Sequence, residues 1–102
     1  MPNRSKQKGN RFERLIVEMT KDSGLAAKRA WGSNGEAMGE HEEVDVLVGK
    51  SFKIQTKCRK KIATWMTPSE NVDAQVIKAD RENPLIVMRY DDWLELYKIV
   101  TS

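Results

Sequence analysis

The sequence has one cysteine, Cys58, in 102 residues. A lone thiol closes no intramolecular disulfide and has no second thiol with which to build a zinc cluster, so disulfide and cysteine–metal frameworks are excluded. No apolar run approaches the ~18 residues of a membrane span. The N-terminal stretch MPNRSKQKGNR is polar where a secretory signal needs an apolar region, and a cytoplasmic location is expected. Internal repeats and low-complexity tracts are also missing. With 39% hydrophobic and 32% charged residues, the composition is that of an ordinary folded domain rather than a disordered chain. The length implies one domain over 1–102, with 1–10 as a basic flexible tail.

What is present is unevenly placed charge. The net value of +3 is modest, but Arg4, Lys6, Lys8 and Arg11 crowd the N-terminus and Lys57, Arg59, Lys60 and Lys61 crowd a later segment. Two such clusters suit a polyanion, because each cation set on a phosphate releases counterions. Charge alone does not separate that reading from a solvated tail and a charged strand end.

Asn10 followed by Glu13 has capping-box spacing, and Phe12, Leu15, Ile16 and Met19 recur as one helical stripe, so a helix is predicted over 10–23 with Gly24 as its stop. LAAKRAW, from Leu25, reads as a strand running into a loop, GSNGEAMGEH. Val44 to Val48 and Phe52 to Cys58 both alternate with period two, the signature of a hairpin. If Gly49, Lys50 and Ser51 form the loop, Val48 pairs with Phe52 and Asp45 lies across from Gln55, with Lys57 further along the same face. A one-residue slip would turn the valines outward, whereas a slip of two keeps the pattern. The stretch TPSENVDAQVIKADREN reads as a second helix, PLIVMRY as a buried strand and DDWLELYKIV as a closing helix capped by Asp91 or Asp92. The predicted order is α β β β α β α.

An acidic helix residue, an Asp on one strand, and a polar residue two before a Lys on the next form a pattern that resembles the PD-(D/E)xK nucleases. Within that superfamily the sequence looks most like the archaeal-type Holliday junction resolvases and their phage relatives, and the resemblance runs over nearly the whole chain from Arg11. It implies an α/β, restriction-endonuclease-like fold with a central mixed sheet flanked by helices. It also implies an endonuclease of branched DNA active in recombination, dependent on Mg²⁺ or Mn²⁺, and a homodimer, because two strands must be cut symmetrically. Host-cell cytoplasm is the expected location if the protein is phage-encoded. Residue by residue, Glu13 matches the helix carboxylate, Asp45 the first motif acid, Gln55 the second motif position, Lys57 the motif lysine and Ser33 the loop serine. Asp45, Gln55 and Glu13 are then the metal-ligand candidates, and Arg4, Lys6, Lys8, Arg11, Arg29, Arg59, Lys60 and Lys61 the nucleic-acid contacts.

Phosphodiester hydrolysis needs an activated water and a stabilised developing charge, and a hard cation held by oxygen ligands supplies both. Lys57 would orient the water or neutralise charge in the transition state. The chain departs from the family at Gln55, where a carboxylate is usual; an amide oxygen brings a lone pair but no charge, so metal affinity falls. Three accounts stand open: a natural variant that still cuts, a decayed nuclease that only binds nucleic acid, and an engineered Glu-to-Gln change. More ordinary roles compete for several residues. Glu13 fits a capping role, and Lys57 fits a cross-strand ion pair with Asp45. His41, Glu42 and Glu43 read as a solvated loop that contributes at most one ligand. Cys58 reads as core. Trp31, Trp65 and Trp93 read as packing or subunit contacts, with Trp31 best placed to touch a base.

Overall fold

The computed structural model describes residues 4–30 and 41–102, in two compact units, Met1–Cys58 and Arg59–Ser102. Ser33 and Trp31 lie outside the described residues. Among the described residues the elements are mixed α/β, with two helices and antiparallel strands in two sheets, consistent with a restriction-endonuclease-like fold.

In the first unit, helix α1 (Arg4–Asp22) packs on strands β1 (Ala27–Arg29) and β2 (Val46–Val48), and β3 (Phe52–Ile54) completes an antiparallel sheet in the order β1-β2-β3. The predicted alternation holds on β2, whereas β3 stops at Ile54, short of the expected Cys58, and its Phe52 is 42% exposed. Val44, Val46 and Val48 are buried with Ala27 and Ala30, and the hairpin register is the expected one, Val48 against Phe52 and Val46 against Ile54. Gly49 makes the turn feasible at φ +62°, a left-handed conformation that costs glycine little.

The helix departs from expectation at both its start and its buried face. It begins at Arg4, so the basic stretch expected as a flexible tail continues the helix, and Asn10 sits inside it rather than capping it. The buried line is Glu13, Ile16 and Thr20, not Phe12, Leu15 and Met19; Leu15 is 48% exposed. Polar residues point inward because each has a partner there. The Thr20 hydroxyl donates to Ile16 O (2.6 Å), and Glu13 accepts from Arg29. A satisfied buried polar group carries little of the penalty that normally keeps such residues outside. The expected stop holds: Gly24 at φ +98° donates to Lys21 O (2.9 Å) and Leu25 N–H to Thr20 O (3.2 Å).

The second unit contains a short 3₁₀ turn (Thr64–Met66), an antiparallel pair β4 (Ala74–Ile77) and β5 (Leu85–Met88), and helix α2 (Tyr90–Thr101). The helix predicted over 67–83 is therefore a set of turns followed by a strand. The cause is local capture of its hydrogen-bonding groups. Ser69 Oγ takes the Asn71 N–H (3.1 Å), while the Arg89 guanidinium donates to the carbonyls of Ser69 (2.9 Å) and Val72 (3.1 Å), which an α-helix would have used itself. Val76 and Ile77 then pair with Ile86 and Leu85, and the strand expected to be buried is half outward, with Leu85 65% and Ile86 64% exposed. Helix α2 begins at Tyr90, with Arg89 rather than Asp91 or Asp92 at the cap position. The two aspartates occupy its first turn, where the helix dipole favours negative charge.

Candidate functional site

Asp45 lies at the start of the central strand and is bound from both sides. Its carbonyl accepts from Ala30 N–H (2.9 Å), extending the β1–β2 ladder, and its own N–H donates to Ile54 O (2.9 Å). Because Val46 also pairs with Ile54, Asp45 and Val46 both stand against one residue of β3, a bulge that re-aims the side chain. The carboxylate then takes over where the ladder ends: Asp45 Oδ2 accepts from Thr56 N–H (2.7 Å) and from the Thr56 hydroxyl (3.3 Å). Gln55 and Lys57 flank Thr56 and are both exposed. Asp45 thus stands against Ile54 rather than across from Gln55 as expected, and its carboxylate is tied to Thr56, the residue between Gln55 and Lys57.

Glu13 approaches the same neighbourhood through β1. Arg29 Nε donates to Glu13 Oε1 (3.0 Å) and its Nη2 donates to Asn10 Oδ1 (2.8 Å), and the next residue, Ala30, is the one bonded to Asp45. The glutamate side chain is only 6% exposed and that of the arginine 26%. The capping-box spacing of Asn10 and Glu13 therefore has another use: both side chains hold one guanidinium. Arg29, expected among the nucleic-acid contacts, spends its fork on this pairing.

The donor atoms available on the hairpin are a carboxylate and an amide oxygen, a set suited to a hard cation such as Mg²⁺ or Mn²⁺. Thr56 fixes the carboxylate in the way that outer hydrogen bonds orient ligating groups. Among the described residues no three His, Cys, Asp or Glu side chains group as a metal cage. His41, Glu42 and Glu43 are exposed, and His41 Nδ1 accepts from Glu43 N–H (3.1 Å), as befits a solvated turn.

The basic residues of the N-terminus are carried on rigid helix. Arg4, Lys8 and Arg11 line a groove with Gln7, Phe12, Leu15 and Cys58. Spacings of four and three residues keep the cations on one face. Phe12, Leu15 and Cys58, expected in the core, form the apolar side of this groove instead. Two further features escaped the sequence pattern. Thr56 has no motif signal, since hydroxyl residues are common in strands. Trp65 is 65% exposed, whereas Trp93 is enclosed in a stack between Tyr90 (5.4 Å) and Tyr97 (4.9 Å).

A bulged hairpin with an aspartate tied beside a polar-x-Lys segment, and a helix bearing a buried glutamate, is the pattern of the PD-(D/E)xK class. The sequence model of the archaeal Holliday junction resolvase family (Hjc) matches residues 4–97, and the chain belongs to that family. No curated protein and no solved structure matches it. Among the described residues no helix is long and apolar enough to cross a membrane.

Proposed function

We propose that the chain, as a single nuclease-like domain acting in a homodimer, cuts four-way DNA junctions with a divalent cation held by Asp45 and Gln55. The observation that supports this reading is the Asp45–Thr56 tether, a bond from the motif aspartate to the residue between Gln55 and Lys57, just beyond β3, in a chain of a junction-resolving family. When bound, Mg²⁺ or Mn²⁺ would lower the pKa of a coordinated water and polarise the scissile phosphate. Asp45 supplies the single full charge of the cation site, and Gln55 adds a neutral oxygen. Lys57, exposed and one residue beyond Thr56, is the group proposed to offset charge on the phosphate as the bond breaks. Glu13 shapes the site indirectly, by fixing Arg29 and hence the strand against which Asp45 is registered. Ser33 is proposed as a phosphate contact.

Family membership implies branched DNA as substrate, and two copies are needed because a junction offers two symmetric strands. Incubation with a labelled four-way junction and a linear duplex, with Mg²⁺ or Mn²⁺ and with chelator, tests the proposal. Paired metal-dependent nicks confined to the junction are expected. Junction binding with no nicking by either ion would instead favour a decayed nuclease that only binds, a reading the uncharged Gln55 supports.

Binding should also weaken steeply with salt. If Arg4, Lys8, Arg11, Arg59, Lys60 and Lys61 each neutralise one phosphate, log K falls against log salt with a slope of about −5. A response flatter than about −2 would assign most of these cations to solvated surface.

A further inference from the structure

Tryptophan is rarely left in water, because its large ring gains more from burial than almost any other side chain. Trp65 nevertheless stands 65% exposed on the 3₁₀ turn Thr64–Met66, and Ile62 beside it is 67% exposed. Its backbone is firmly held. Gln75 Nε2, from β4, donates to the Trp65 carbonyl, Met66 N–H to Ala63 O (2.9 Å) and Thr67 N–H to Thr64 O (3.1 Å). Just beyond, Arg89 grips the Ser69 and Val72 carbonyls. The turn is thus braced from β4 and the segment after it from Arg89, while the indole faces outward.

The residues that precede it in the chain indicate what the indole meets. Arg59, Lys60 and Lys61 are exposed, and none of the residues from Lys57 to Trp65 is acidic. Protein-binding patches built on tryptophan are depleted in lysine, whereas surfaces for unpaired nucleic acid pair cations with aromatic faces on which bases stack. Four Cα–Cα steps lead from Lys61 to Trp65. Fully extended, they span at most ~14 Å, about four stacked nucleotides at ~3.4 Å each.

We propose that Trp65 stacks on a base left unstacked at the branch point of the junction, with Arg59, Lys60 and Lys61 seating the phosphates alongside. This rests on the junction-binding reading above and adds to it a source of structure selectivity: a continuous duplex offers no free base face, whereas a branch point does. Ile62 supplies an apolar flank of the kind that wedges beside opened base steps.

The test measures affinity for a four-way junction and for a duplex of equal length, at one salt concentration, for the protein, Trp65→Ala and Trp65→Phe. Trp65→Ala should weaken junction binding roughly tenfold or more while duplex affinity and the salt slope hold, and Trp65→Phe should retain most of the affinity. A junction with 2-aminopurine at the branch should lose fluorescence on binding the unsubstituted protein, a readout that does not depend on how a variant folds. Unchanged junction affinity in a folded Trp65→Ala, equal losses on junction and duplex, or no quenching would overturn the proposal while leaving junction binding intact. A loss accompanied by dissociation of the dimer in sedimentation would overturn it in favour of a protein contact. If the unsubstituted protein fails to prefer the junction, the parent reading and this one fall together.

Discussion

Asp45→Asn should abolish cleavage, by a factor on the order of 10³ or more, while melting close to the parent protein. Asparagine keeps an oxygen for the Thr56 N–H and hydroxyl but removes the charge that a cation needs. Asp45→Ala should lose cleavage equally and stability as well. Thr56 N–H would be left without its acceptor at a part-buried position, a cost of about 1–2 kcal/mol for a bond to a charged group. The pair of variants separates the two roles of one carboxylate, tether and ligand. Neither should weaken junction binding measured without metal, since no cationic contact is removed. Cleavage surviving in Asp45→Asn would exclude the residue from the site.

Glu13→Ala has the largest expected effect on stability. The side chain is enclosed between α1 and β1, and its removal leaves the Arg29 guanidinium with Asn10 as its neutral partner. Breaking a buried pair from one side costs about 3–5 kcal/mol. Arg29 is a quarter exposed and can recover some hydration, so the loss should be about 2–3 kcal/mol, or roughly 10 °C in Tm. Glu13→Gln preserves the hydrogen-bond geometry and should lose about half as much. A double-mutant cycle with Arg29→Ala should give a coupling of at least ~1 kcal/mol. If Glu13→Ala melts like the parent but no longer cuts, the glutamate acts on the metal and not on the fold.

The hairpin was legible because β-strand alternation and a three-residue loop leave little freedom: one register buries Val44, Val46 and Val48, and that register is the one adopted. The expected Asp45–Gln55 pairing did not come with it, since Asp45 stands against Ile54 and its carboxylate is held by Thr56. What could not be read were the places where a side chain from a distant segment replaces a main-chain partner. Arg29 makes Glu13 an inward residue and so turns α1 away from its most apolar stripe. Arg89 draws up the carbonyls of 69–72 and so converts an apparent helix into turns and a strand. Capping-box spacing at Asn10 and Glu13 was a real constraint read for the wrong purpose, because three residues apart on a helix serves equally well to hold one guanidinium. The bulge at Asp45 lay beyond pattern reading too, since alternation is silent about where a ladder ends.

The metal response of Gln55→Glu tests most directly whether Asp45 and Gln55 flank one cation. A carboxylate in place of the amide returns a full charge of nearly the same shape, and a tenfold gain in affinity corresponds to ~1.4 kcal/mol. Without metal the change should be neutral or slightly destabilising, because two carboxylates then share one edge of the hairpin with Lys57 as the nearby cation. Melting curves of the protein and of Gln55→Glu, each with and without Mn²⁺, read both signs at once. The account predicts a larger Mn²⁺-induced rise in Tm for Gln55→Glu than for the parent, together with an equal or lower Tm in chelator. The same Mn²⁺ response in the two proteins would contradict it and remove position 55 from the cation site.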